Sequence, residues 1–483
     1  MSADLRALTL TALSDALRRR EVSSVEATRA CLDAIDAYDP EINSFIAVER
    51  DAALAQATAA DHELATGHWR GPLHGVPLAH KDMFYRAGKI SSCGSALCVD
   101  RVATVTATVQ QRMADAGSVY VGSLNMSEFA AGPTGHNVHF GHCRNPWNPA
   151  HVTGGSSSGS GAAVAARLIY GSLGSDTGGS IRLPAAMCGV VGVKPTYGLV
   201  SRYGVMPRCW SLDVVGPLAR TAEDCALLLQ AVAGRDARDR TTDAGPVPDY
   251  RARVAGAVAG FTIGVPTNAV FADVEPPVRA RLDASLRALE AAGARVVPVE
   301  LPDPRVIYAL TNLVNKAEAA SVHAQWMRTR RSEYSLSAAN RIEAGFHVAA
   351  THYLDALRLR APLLEKFAEQ VFARVDAVHM PVLGMPVPTI DATEIRSTQD
   401  VPALMERITR FTRWVNYLGL PAVSVPCGFT DDGLPVAFQL LGRPFAEARL
   451  LRLAHAYQQG TDWHRRAPAL RRAAADASQT VQS

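Results

Sequence analysis

An α/β fold is what this sequence predicts, on two observations. Short β-branched stretches alternate with helical runs through most of the chain, and Gly- and Ser-rich turns separate them. The 483 residues are 48% hydrophobic and 20% charged, the texture of a globular chain with a large core. Read in order, residues 9 to 38 predict helices. Ser23-Ser24-Val25-Glu26 offers a capping box ahead of Val25, Leu32 and Ile35 on one helical face. Residues 51 to 66 are Ala-rich and helical, with Gly67 as their stop.

From Gly71 to about Pro217 strands and helices interleave. Ser118–Gly122 and Gly189–Val193 read as strands, and Thr106–Ala116 and Gly161–Leu168 as helices. Residues 234 to 250, with Pro246 and Pro248, read as an exposed connection. The pattern then resumes, with Phe261–Val265 as strand, Val278–Ala292 as helix and Arg295–Val299 as strand. Residues 315 to 375 are strongly helical, and Ala422–Val425 and Val436–Leu441 read as strands. The alternation argues a largely parallel sheet. The expected organisation is a single domain over 1–483: a helical segment at 1–66 packed on it, a core at 71–217, and a frayed Ala-, Ser- and Gln-rich tail at 470–483.

Composition narrows the partners. Lys plus Arg is 49 and Asp plus Glu 46, a formal charge of +3 that gives no support for nucleic-acid binding. Residues 1 to 20 hold no apolar core with a cleavage site, and no run of 18 apolar residues occurs, so no membrane span is expected. The eight cysteines are scattered, with no Cys-x-x-Cys pair, which points to a reducing, cytoplasmic setting.

Three segments carry chemistry. In Ser175-Asp176-Thr177-Gly178-Gly179-Ser180-Ile181-Arg182, two glycines let successive N–H groups turn into one concavity, with Ser180 at its mouth. A serine hydroxyl needs a base, and amide cleavage needs donors aimed at the oxyanion. Alone, the same run reads first as a tight strand-to-helix turn without chemistry. Thr153-Gly-Gly-Ser156-Ser157-Ser158-Gly159-Ser160-Gly161 reads as a linker by composition, but an apolar helix pattern follows at once. It lacks the Gly-Lys-Ser/Thr of a phosphate loop and the third glycine of a dinucleotide fingerprint. It does fit Gly-x-Ser-x-Gly, yet no downstream His stands in a context that completes that triad. The third segment, Gly71 to Asp82, places Lys81 among apolar neighbours, where burial can lower its pKa enough to make it a base. A structural contact with Asp82 is the other reading.

Taken together, Lys81, the Gly-Gly-Ser-Ser-Ser-Gly run and Asp-Thr-Gly-Gly-Ser-Ile-Arg resemble the amidase signature family. The resemblance extends over most of the chain, through Gly122–Phe129, Arg144–Asn148, Gly192–Gly198, Ser201–Pro207, Gly419–Gly428 and Gly433–Pro444. It implies a central mixed sheet covered by helices on both faces. It also implies a Ser-cisSer-Lys triad: Ser180 as nucleophile, Ser156 as proton relay after a cis Gly155–Ser156 peptide, and Lys81 as base. The backbone N–H groups of Thr177, Gly178, Gly179 and Ser180 would form the oxyanion hole, with Met126, Ser157 and Trp210 as substrate contacts. Asp176 and Arg182 would shape the loop. No cofactor or metal is implied. The cluster His136, His139, His142 and Cys143 lacks a standard zinc spacing.

The expected activity is hydrolysis of a small amide, releasing ammonia or an amine, with a small-molecule substrate, no nucleic acid, no membrane and a possible homodimer. The alternatives are the glutamine-hydrolysing subunit of a tRNA-dependent amidotransferase and a non-catalytic binding protein. The stretch from 310 to 400 departs from the amidotransferase pattern. Arg341-Ile-Glu-Ala-Gly-Phe-His347 stands where an Arg-Arg…Leu-Gly-Thr run is expected, so the stand-alone amidase is the main expectation.

Overall fold

A computed structural model describes residues 4–394 and 401–472. The tail residues 473–483 lie outside the described residues. Two sheets organise the chain. The smaller has three strands, β1 (Phe45–Val48), β2 (Pro77–Lys81) and β3 (Val119–Leu124), in the order β1-β3-β2. The larger has eight: β4 (Gly171–Asp176), β5 (Val191–Lys194), β6 (Val214–Ala219), β7 (Thr262–Pro266), β8 (Arg295–Val299), β9 (Ala377–Pro381), β10 (Ala422–Phe429) and β11 (Pro435–Leu441). Their order is β8-β7-β9-β11-β10-β5-β6-β4.

The large sheet is mixed. Only β7 with β8 and β7 with β9 pair in parallel; the other five neighbours are antiparallel. The largely parallel sheet that the alternation argued for is therefore corrected. Local hairpins are the cause: β10 returns into β11 through Asp431-Asp432-Gly433, with Gly433 at φ +78° closing the turn. Pro426 in β10 is accommodated by a bulge between Pro426 and Gly428.

Helices flank this sheet. At the N-terminal end lie α1 (Leu10–Arg18), α2 (Ser24–Ile42) and α3 (Arg50–Ala65). The capping box at the start of α2 is formed: Glu26 N donates to Ser23 Oγ and Ser23 N donates to the Glu26 carboxylate, at 3.1 and 2.8 Å. Two short helices follow the loops of interest, α4 (Ser158–Ala165) and α5 (Arg182–Cys188). Further on come α6 (Pro276–Ala291), the long α7 (Pro304–Thr329), α8 (Leu336–Glu343) and α9 (Arg413–Tyr417).

The Ser/Gly run is a packing device rather than a linker. A Cβ on Gly159 would sit 2.2 Å from the Ser44 carbonyl oxygen, so only glycine lets α4 approach the chain entering β1. Among the described residues no helix is long and apolar enough to cross a membrane. All eight cysteines are buried free thiols.

Candidate active site

The strand ends bring the three sequence segments together. Lys81 closes β2, and its Nζ donates to Ser156 Oγ at 2.6 Å and to Ser175 Oγ, near the end of β4, at 2.9 Å. Ser156 lies in the loop that enters α4, and the Gly155–Ser156 peptide is cis. The next residue links the loops: Ser157 N donates to the Ser180 carbonyl oxygen at 3.3 Å. The Ser157 hydroxyl lies 3.3 Å from both the backbone nitrogen and the carbonyl oxygen of Ser175. Ser157 thus braces the site from behind. Ser175, which sequence reasoning did not single out, is the second partner of Lys81. Its place in a Ser-Asp-Thr-Gly-Gly-Ser run carries no signal of that role.

Lys81 is fully enclosed, at 1% exposure. Burial pushes its pKa down to about 7, against the pull of Asp176 and Asp213. Asp82, the candidate structural partner, is turned away and takes hydrogen bonds from the Ser92 backbone and hydroxyl at 2.9 and 2.5 Å. Burial raises the Asp82 carboxyl to about 6.

The loop around Ser180 is shaped by a buried ion pair. Asp176 accepts from Arg182 Nε and Nη2 at 3.1 Å each, from Gly179 N at 2.7 Å and from Asn416 Nδ2 at 2.9 Å. Burial opposes the Asp176 charge, but Arg182 and Lys194 hold its carboxyl well below the usual range. Gly179 sits at φ +128°, a conformation glycine tolerates and other residues do not. Its N–H is committed to Asp176, whereas the amides of Thr177, Gly178 and Ser180 donate to no group among the described residues. Those three are the free donors of the loop. Replacing Arg182 with Met should leave the Asp176 carboxylate buried and unpaired, at a cost of about 3–5 kcal/mol. The check is the urea midpoint of Arg182→Met, and a wild-type midpoint would show that the pair does not hold this loop.

Ser180 opens onto a cavity of about 100 Å³, where the lining includes Thr177, Gly178 and Leu183. Residues 130–133 also line it, with Arg208, Asn312, Asn315, Lys316, Arg341, Thr409 and Arg413. Met126 and Trp210 are not brought there. Met126 is wholly buried, and its carbonyl accepts from Asn137 Nδ2 at 2.8 Å. Trp210 is 42% exposed and lines a separate cavity with Met83, Ser175 and Met206. The histidine cluster serves the neighbourhood by hydrogen bonding: His139 Nε2 lies 3.0 Å from Glu128 Oε1, and His136 Nε2 lies 2.8 Å from Thr393 Oγ1.

The family model described as Amidase matches residues 26–451. This chain belongs to the amidase signature family. It is 42% identical over 480 residues to the A subunit of glutamyl-tRNA(Gln) amidotransferase from Methylococcus capsulatus, a match that covers 95% of this chain and 98% of that one. The A subunit from Thermotoga maritima overlays with a TM-score of 0.80 at 33% identity, covering 98% of this chain and all of the other. A chain from a vestigial protein complex, tied to the origins of an s-triazine catabolic enzyme, overlays at 0.87 with 32% identity. That match covers 94% of this amidase and 98% of the other chain.

These relatives overturn one expectation: a small amide and a second copy of the chain as the only partners, with no nucleic acid. The relatives' name describes one subunit of an enzyme whose substrate is a charged tRNA. Net charge failed as a guide because it reports only the footprint of this chain alone. In an assembly the positive surface that meets RNA can belong to another subunit.

Proposed function

We propose that this amidase hydrolyses a primary amide through an acyl-enzyme on Ser180, and that it does so as the A subunit of a heteromeric amidotransferase. One observation carries the chemistry: a buried lysine with a pKa near about 7 lies 2.6 Å from Ser156 Oγ, beside a loop that presents Ser180 and three free amides. Neutral Lys81 takes the Ser156 proton as Ser156 takes that of Ser180, and the Ser180 oxygen attacks the amide carbonyl. The oxyanion is met by the free N–H groups of the loop. The proton returns through Ser156 to the departing nitrogen, which leaves as ammonia. Water then repeats the sequence and releases the carboxylic acid. Asp176, held by Arg182, shapes the loop without competing as a base.

The assembly part of the reading is supported by the 42% identity with amidotransferase A subunits over nearly the whole chain. It implies a protein partner and a charged tRNA that receives the ammonia. The test is ammonia release from glutamine by the purified chain, alone and with co-expressed companion subunits. In parallel, a fluorophosphonate label would be mapped by mass spectrometry. Ser180 should carry the label, and release should rise when companions are present. Labelling at another residue would overturn the chemistry, and full release without companions would overturn the assembly.

A second reading, an amide hydrolase unconnected to tRNA, is favoured by a specific observation. The chain from the vestigial complex overlays more closely than the Thermotoga maritima amidotransferase chain does. It is distinguished by indifference of the rate to charged tRNA.

A further inference from the structure

Ser156 is held from one side by a loop that takes no part in the proton transfers. Ser127 N donates to the Ser156 carbonyl oxygen at 3.1 Å, and Gly155 N donates to the Pro133 carbonyl oxygen at 2.7 Å. The stretch 127–133 therefore brackets Gly155 and Ser156 with backbone bonds. The approach is close: a Cβ on Gly155 would sit 2.6 Å from the Gly132 carbonyl oxygen and 2.8 Å from Ser127 Oγ. The same stretch lines the Ser180 cavity with Ala130, Ala131, Gly132 and Pro133.

This loop does not keep its shape unaided. Phe129 and Ala130 sit at φ +46° and +57°, in the left-handed region that residues other than glycine rarely adopt. Two consecutive residues stay there only where their surroundings enforce it. The buried Phe129 ring packs against His323 and Trp326 of α7 and against Tyr334, with ring centres 4.7, 5.6 and 5.4 Å away. Its neighbour Glu128 is 3% exposed, and among the described residues no Lys or Arg pairs with it. The Glu128 carboxylate takes hydrogen bonds from Ser95 Oγ at 2.7 Å and from the backbone N–H of Ser335, just before α8, at 2.9 Å. His139 Nε2 completes the set at 3.0 Å. A buried carboxylate is costly unless its oxygens are bonded, and these bonds tie the loop to three separate segments.

We infer that Glu128 is a positioning residue: by fastening the 127–133 loop to Ser95 and to the start of α8, it holds Ser156 at hydrogen-bond distance from Lys81. Its carboxylate bonds to none of the triad and acts through the Ser127 N–H. The inference rests on the Lys81–Ser156–Ser180 chemistry and holds under either reading of the assembly. What Glu128 supplies is acceptor geometry rather than charge. A glutamine there can still accept from the Ser335 N–H and can donate to Ser95 Oγ. Without either, the loop is free to leave the left-handed conformation, and Ser127 N moves off the Ser156 carbonyl.

The experiment measures two rates on the chain with whatever companion co-purifies: labelling of Ser180 by a fluorophosphonate, and ammonia release from glutamine per labelled site. Fluoride leaves without a proton, so labelling needs Ser156 once. Amide cleavage needs it twice, at Ser180 and at the departing nitrogen. Glu128→Ala should slow labelling by at least about tenfold and release by about 100-fold or more, the size of a misplacement of about 1 Å, with KM within about threefold of wild type. Glu128→Gln should recover most of both rates. A merely structural role would lower the number of labelled sites and leave the rates per site alone. Ser335→Pro reaches the same contact from the other side, should Glu128→Ala fail to fold. Ser335 has φ −60°, which proline adopts, so the substitution deletes the N–H without bending the chain. It should slow labelling at least about fivefold more than Ser335→Ala, which keeps the N–H. Wild-type rates per site in Glu128→Ala, or equal rates in the two Ser335 variants, would overturn the inference. So would a Glu128→Gln chain as slow as Glu128→Ala. A label that maps to another residue in the wild-type chain is a different failure: it would sink the Ser180 reading, and the inference with it.

Discussion

Ser180→Ala should lower turnover by about 10⁴-fold or more while the chain stays folded, equivalent to about 5 kcal/mol of transition-state stabilisation. The size follows from what remains. Lys81 and Ser156 keep their 2.6 Å hydrogen bond in the variant, and the free amides of the loop still face the cavity. They have no oxygen to activate and no tetrahedral intermediate to hold, so only binding and polarisation survive. The fold should be indifferent. Ser180 gives its carbonyl to Ser157 N, a backbone contact that alanine retains, and its side chain opens to the cavity. The measurement pairs steady-state ammonia release with a thermal melt. A large loss at an unchanged melting temperature fits the nucleophile. Residual turnover above about 1% would transfer that role to Ser156, which lies closest to the base.

How far the sequence carried is clearest element by element. Arg295–Val299 is legible to the residue, because its β-branched valines mark a strand just after the helix that ends near Ala292. The Ser23 capping box was legible for the same local reason. Gly171–Asp176 was not legible. It is Gly-Ser-Leu-Gly-Ser-Asp, with little strand propensity, and it is a fully buried edge strand only because it pairs along its whole length with Val214–Ala219. The antiparallel pairing of the large sheet was also invisible to an argument from alternation, since it depends on which strands become neighbours.

At the site, Lys81, Ser156 and Ser180 could be singled out because their three segments together resemble the family signature, although each taken singly also reads as a turn, a linker or a structural contact. The cations could not. Arg208, Arg341 and Arg413 are separated by more than 70 residues at the closest, and each taken singly reads as a solvated surface charge. They line one cavity only because three elements meet. Met126 and Trp210 show the converse. The family resemblance nominated them, but burial places one in the core, and the other stands in the turn before β6 over a different cavity.

The second large effect is expected at Lys81. Lys81→Met should cost about 10³-fold or more in kcat/KM, in keeping with the loss of a general base. Lys81→Arg should be nearly as damaging. A guanidinium keeps its proton throughout the working range, so it can replace the charge of the lysine but not its neutral form. The pH profile gives the sign. Lys81 must be unprotonated to start the cycle, and burial sets its pKa near about 7. Wild-type kcat/KM should therefore rise tenfold per pH unit below that value and level off above it. Asp82, raised by burial to about 6, titrates nearby but is bonded to Ser92 rather than to the lysine. An Asp82→Asn variant should keep the limb near 7. Were the limb to move with Asp82, or to survive in Lys81→Met, the base would lie elsewhere. Substantial activity in Lys81→Arg would make the side chain a fixed cation that orients Ser156, and the proton would then have to pass from the Ser180–Ser156 pair directly to the leaving nitrogen.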